Sequence, residues 1–204
     1  LIRYISAYKE VGADGVMMAE PLGGMLSPML AEEFSEPYVK RIVDALQDDS
    51  FIIVYHNCGD NVLYMADSIA RTGAAAFHFG NSVKMTDMLK MMPEDKLIMG
   101  NVDPARELKN GTPESIRKAV FDIMSEATRY DNFVISSGCD IPPSAPTKNI
   151  DAFFEAVNEF YERRSRLKAD PYFETREKED AFIARVLDAV RHSAPSLPAS
   201  QEAE

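Results

Sequence analysis

The segment "FIIVYHNCGD", residues 51–60, runs apolar and then ends in a histidine and a cysteine two positions apart. Side chains alternate along an extended chain, so His56 and Cys58 project to one side and Asn57 to the other. Imidazole nitrogen and thiolate sulfur are both zinc ligands. A buried free cysteine is also a common small hydrophobe, so the pair alone leaves metal ligation and core packing open. The second of the two cysteines, Cys139, follows a glycine in "SSGCDIPP", at the exit of another apolar run. One histidine and two cysteines form a zinc set whose fourth position is free for water or substrate, the mark of a catalytic site. No Cys-x-x-Cys pair is present, which argues against a zinc ribbon. Two cysteines so far apart read as reduced ligands or core residues rather than a disulfide.

These residues need strands whose ends converge. Five apolar runs supply them: "DGVMMAEP", "FIIVYHNC", "AAAFHFGN", "KLIMGNVDP" and "NFVISSGCD". Each is followed by a stretch with helical spacing of apolar residues. Ile2, Ile5, Tyr8 and Val11 mark a first helix, and Leu30, Phe34, Val39, Ile42, Val43 and Leu46 a second. Val62, Met65, Ala66 and Ile69 follow, then a methionine-rich helix at Met85, Met88 and Leu89 that ends at Pro93. Thr112 and Pro113 suit the N-cap and first position of a helix carrying Ile116, Val120, Ile123 and Met124 inward. A last helix runs through Phe153, Ala156, Val157 and Phe160.

Nearly continuous apolar strands alternating with helices imply a parallel sheet buried on both faces. The strand ends carry Glu20, His56 with Cys58, Gly80 with Asn81, Asn101 with Asp103, and Ser137 with Cys139. In a (β/α)8 TIM barrel such ends share one rim, where active sites are built. No Gly-x-Gly-x-x-Gly follows a strand, so a doubly wound nucleotide-binding sheet is disfavoured. The expectation is an α/β fold, the C-terminal part of a (β/α)8 barrel with about five of its eight βα units. The chain starts in mid-helix and without methionine, which leads us to expect a missing N-terminal part. Residues 1–167 form the barrel portion in this reading, and residues 168–204 a charged helical extension and disordered tail, in which His192 is inert.

The formal charge is −11, from 33 acidic and 22 basic residues. Such a charge repels a phosphate backbone, so no nucleic-acid partner is expected. No run approaches the roughly 18 consecutive apolar residues of a membrane span, and the first residues lack the features of a signal peptide. A cytoplasmic address is expected.

The stretches "GADGVMMAEPLGGMLSPMLAEEFSEPYVKRI", "YHNCGD", "TGAAAFHFGN", "IMGNVDPARELKNGTPESI" and "SSGCDIPPSAPTKNIDAFFEAV" resemble the C-terminal part of the uroporphyrinogen decarboxylase superfamily. They resemble most closely its corrinoid-linked methyltransferase branch, which includes methylcobamide:coenzyme M methyltransferases. The resemblance covers roughly residues 1–165. It implies a zinc signature of His-x-Cys and a distant Cys, matched by His56, Cys58 and Cys139. It also implies that true uroporphyrinogen decarboxylases lack the His-x-Cys and carry a histidine at the position of Cys139.

The implied cofactors are zinc and a methyl-corrinoid, the latter carried by a corrinoid protein as partner. The implied reaction moves a methyl group between that corrinoid and a small thiol, or a similar acceptor or methyl donor. Metal-free uroporphyrinogen decarboxylation is the alternative, and a corrinoid-protein binding module a further one. Glu20 and His78 are candidate catalytic residues: Glu20 as a fourth ligand, a base or a plain loop acid, and His78 as a core histidine or one that orients a metal ligand. Asn81, Asn101 and Asp103 are candidate substrate-binding residues, with turn capping as the other reading of Asn101 and Asp103. Met85, Met88, Met91 and Met92 read as core filler.

Overall fold

The computed structural model describes residues 1–168 of the chain; the expected helical extension and tail, with His192, lie outside the described residues from 169 onward. Strands and helices alternate. They run α1 (Ile2–Glu10), β1 (Gly15–Ala19), α2 (Pro28–Phe34), α3 (Glu36–Leu46), β2 (Ile52–Asn57), α4 (Ala66–Arg71) and β3 (Ala76–Phe79). The series continues with α5 (Met85–Met91), β4 (Leu97–Val102), α6 (Pro113–Ala127), β5 (Phe133–Ser137) and α7 (Thr147–Lys168).

All five apolar runs are strands, and they pair in sequence order, β1-β2-β3-β4-β5, parallel throughout. A doubly wound sheet would reverse direction at a switch point. Here every step goes the same way, and right-handed crossovers then place the helices on one face. This is the partial (β/α)8 barrel expected from the sequence.

The core lies between that face and the helices. Phe51, Ile53, Tyr55, Phe77 and Phe79 are at most 1% exposed, beneath Met65, Met88, Ile116 and Met124. Each such side chain contributes about 1.5–3 kcal/mol by leaving water. Thr112 caps α6 by accepting from the Ser115 backbone N–H, with Pro113 in the first turn, as its sequence indicated. Of the four methionines read as core, Met85, Met88 and Met92 are buried and Met91 is 47% exposed.

Two helices differ from their sequence patterns. The stretch from Leu30 to Leu46 forms two helices that meet at Ser35, not one. Pro37 explains the break, because proline lacks the N–H that a helix interior needs and fits only a first turn. In α1 only Ile5 is buried; Val11 is the residue after the helix, and Tyr8 packs edge-on against Tyr4 at the surface.

Candidate metal centre

Strand alternation sends Tyr55 and Asn57 into the helix layer and His56 to the opposite face of the sheet. On that face His56 is the direct register partner of His78, and His78 of Met99. The chain leaves β2 through Cys58 and leaves β5 through Gly138 and Cys139. Close backbone approach brings these exits together. A Cβ on Gly80 would lie 2.7 Å from Cys58 Cβ, and one on Gly138 would lie 2.8 Å from the Asn81 backbone nitrogen. Both distances are shorter than real side chains tolerate, so glycine lets the ends of β2, β3 and β5 close on one another.

The ligand atoms of His56, Cys58 and Cys139 all lie within 4.8 Å of one another. His56 Nε2 is 3.5 Å from Cys139 Sγ. Tetrahedral zinc with bonds of about 2.0–2.1 Å to nitrogen and about 2.3 Å to sulfur separates two such ligands by about 3.5 Å. The donor set therefore fits a zinc ion in type, and its His56–Cys139 separation matches one edge of such a tetrahedron. The cavity beside it holds about 520 Å³ and is lined by Met17, Ala19, Pro21, Met99 and Ile141, with Asp140 as the carboxylate among the described residues that line it.

Behind the donors, His56 Nδ1 lies 2.6 Å from His78 Nδ1 and 3.2 Å from the His78 carbonyl oxygen. His78 Nε2 lies 2.7 Å from Ser136 Oγ and 2.8 Å from the Ser137 carbonyl oxygen. Burial disfavours charge on both rings. It holds His56 below the ordinary histidine value and, with the His56 ring adding to it, brings His78 down to about 4. Burial likewise pushes the Cys58 thiol up, and the neighbouring Cys139 adds to the shift.

Were a metal held by this donor set, these shifts would set the pH dependence of its uptake. A neutral His56 surrenders no proton to a metal at neutral pH, whereas Cys58 is a thiol there and must lose one. Zinc affinity is therefore expected to rise with pH, by about tenfold per pH unit on account of Cys58 alone, until its thiol ionises. Chelator competition between pH 6.5 and 8 measures the slope; a flat profile would contradict a thiol ligand.

The other candidates fall elsewhere. The Glu20 carboxylate is turned into the helix layer, where Oε2 accepts from Ser35 Oγ at 2.6 Å and from the Tyr55 hydroxyl. It is not among the donors that converge with His56. The register places Ala19 beside His56 and Met18 beside Tyr55, so Glu20, the next residue, falls on the Tyr55 side of the sheet. Asn101 is buried and donates to the carbonyl oxygens of Gly80 and Val83, which pins the turn after β3. Asp103 accepts from the backbone N–H groups of Ala105 and Arg106 and so caps the turn Pro104–Lys109, and Asn81 donates to its other oxygen. Asn81, Asn101 and Asp103 line a separate crevice of about 390 Å³ against α6, not the metal-side cavity. Sequence reasoning passed over Met17, Met99, Ser136 and Asp140. Alternation along β1 and β4 relative to His56 was the signal available for the two methionines.

Comparisons with known proteins bear on the lineage of this arrangement. The chain is 32% identical over 165 residues to uroporphyrinogen decarboxylase of Prochlorococcus marinus (strain NATL1A), covering 78% of this chain and 45% of that protein. It is 31% identical over 161 residues to the uroporphyrinogen decarboxylase of Christiangramia forsetii, covering 79% and 46%. The chain thus spans less than half the length of these relatives. Among solved structures, a methyltransferase from Methanosarcina mazei superposes with a TM-score of 0.69 at 23% identity, over 78% of this chain and 46% of the other, a likeness of fold. The family model "Uroporphyrinogen decarboxylase (URO-D)" matches residues 1–160, nearly the whole described part. On that match, this chain belongs to the uroporphyrinogen decarboxylase family.

Proposed function

We propose that the protein is a zinc-dependent methyltransferase that moves a methyl group between a methyl-corrinoid, carried by a partner protein, and a thiol or similar small acceptor or donor. The observation that carries this reading is the convergence of His56, Cys58 and Cys139 beside a largely apolar cavity. Zinc held there would lower the pKa of a thiol entering its remaining position and so supply the nucleophile. The chain's own residues do the rest. His56, Cys58 and Cys139 hold the ion, while Met17, Met99 and Ile141 give apolar walls that suit a methyl group. Asp140 is the charged group at this cavity, placed to meet the polar end of a small substrate. The His-x-Cys with a distant Cys, which the resemblance gives to the methyltransferase branch, supports the same assignment. A corrinoid protein as partner and a cytoplasmic setting belong to this proposal.

The relatives' names favour a second reading, metal-free uroporphyrinogen decarboxylation. Metal analysis and two assays on the full-length protein separate them. About one zinc per chain, with methyl transfer visible as a change in corrinoid absorbance when a thiol is added, is expected. A zinc-free protein that releases carbon dioxide from uroporphyrinogen would replace the first reading by the second.

A further inference from the structure

We infer that His78 is a positioning residue that sets the tautomer of His56 and ties it to the strand that delivers Cys139. The inference rests on the zinc reading for its purpose but on hydrogen-bond geometry for its content. Carbonyl oxygens only accept, and they fix the protons on both rings. The Ser137 carbonyl oxygen, 2.8 Å from His78 Nε2, requires a proton on that nitrogen. The Ser136 hydroxyl donates to the same carbonyl oxygen at 2.9 Å, so its oxygen also faces Nε2 as an acceptor. A neutral His78 ring with Nε2–H has its lone pair on Nδ1, and that lone pair can only accept.

The atom 2.6 Å away is His56 Nδ1, which must therefore carry the proton. The His78 carbonyl oxygen, 3.2 Å from His56 Nδ1, demands the same. This leaves the lone pair of His56 on Nε2, the nitrogen that faces Cys139 Sγ at 3.5 Å. A metal is thus offered the correct nitrogen before it arrives. The chain of contacts runs from β5, two residues before Cys139, through His78 on β3 to His56 on β2. Two of the three ligands are held in register through one side chain, a role that outer partners of metal-bound histidines play generally.

Nitrogen-15 histidine labelling of the metal-free full-length protein tests the assignment directly, since long-range proton–nitrogen correlations report which ring nitrogen carries the proton. At pH 8 the expected result is Nδ1–H for His56 and Nε2–H for His78. Nε2–H on His56, or Nδ1–H on His78, overturns the inference. Zinc affinity by chelator competition gives the second readout, with far-UV circular dichroism to confirm that the variants fold. His78→Phe keeps the ring shape and removes both nitrogens, so zinc binding is expected to weaken about 10- to 100-fold. His78→Gln, which retains an acceptor and a donor, is expected to recover part of that loss. Equal affinity in wild type and His78→Phe, or no recovery in His78→Gln, also overturns it. Should His78→Phe fail to fold, the tautomers of the wild-type protein still decide. Absence of zinc from the wild type would sink the methyltransferase reading while leaving the tautomer result standing.

Discussion

Cys139→Ser in the full-length protein is expected to lower zinc affinity about 100-fold or more and to abolish methyl transfer, with little change in folding. Serine is nearly isosteric with cysteine, and Cys139 sits at a loop only partly buried, so no cavity or overpacking arises. The change is chemical. A soft sulfur that ionises for the metal is replaced by a hydroxyl that does not, and the remaining His56 and Cys58 make an incomplete set. Metal analysis after dialysis measures the first effect and corrinoid absorbance the second. A metal-free decarboxylase predicts the opposite, since an isosteric change at a residue without a role leaves carbon dioxide release almost untouched. Unchanged zinc content in the serine variant would remove Cys139 from the site.

The strands and the three donors were legible because each leaves a local mark. Fully buried parallel strands read as unbroken apolar runs. A pair such as His56 and Cys58 stands out against that background, and period two alone places both on one side. Glu20 was legible as a polar strand end but not in direction. Its direction follows from the register of β1 on β2, which puts Ala19 beside His56 and Glu20 on the side of its partners Ser35 and Tyr55, and no local pattern announces that register. Asn101 was open to two readings for a related reason. Polar residues at a strand exit serve substrates or the backbone, and only the coordinates reveal the two carbonyl groups that Asn101 satisfies. His78 was visible as a histidine inside an apolar strand, but its work depends on Ser136 and Ser137, nearly 60 residues away in sequence. Long-range pairing of polar groups is the part of this fold that the sequence hides.

Gly80→Ala is expected to loosen the centre without touching a ligand. The added methyl would sit 2.7 Å from Cys58 Cβ and 3.1 Å from Cys58 Cα, and 3.6 Å from the Gly138 carbonyl oxygen. Contacts under about 3 Å between carbons are repulsive, and no flexible side-chain end is available to yield, because the crowded atoms are the root of Cys58 itself. Either the exit of β2 moves away from β3 or the turn after β3 shifts, and Asn101 resists the second by holding Gly80 and Val83 from below. The strain therefore falls on Cys58. Overpacking of this kind costs about 1–3 kcal/mol, and a ligand displaced by even a fraction of an ångström no longer closes a tetrahedron with His56 and Cys139. Zinc affinity is expected to drop about tenfold or more, while thermal unfolding of the metal-free protein stays cooperative with a lowered midpoint. Gly73→Ala is the control. Its backbone is left-handed, which that of Gly80 is not, and its nearest neighbour is Val43 Cγ1 at 3.9 Å, so an alanine there should cost stability through backbone strain and leave zinc affinity unchanged. Equal zinc affinities in the Gly80 variant and the wild type would mean that the close approach of β2 and β3 does not hold the donor set together.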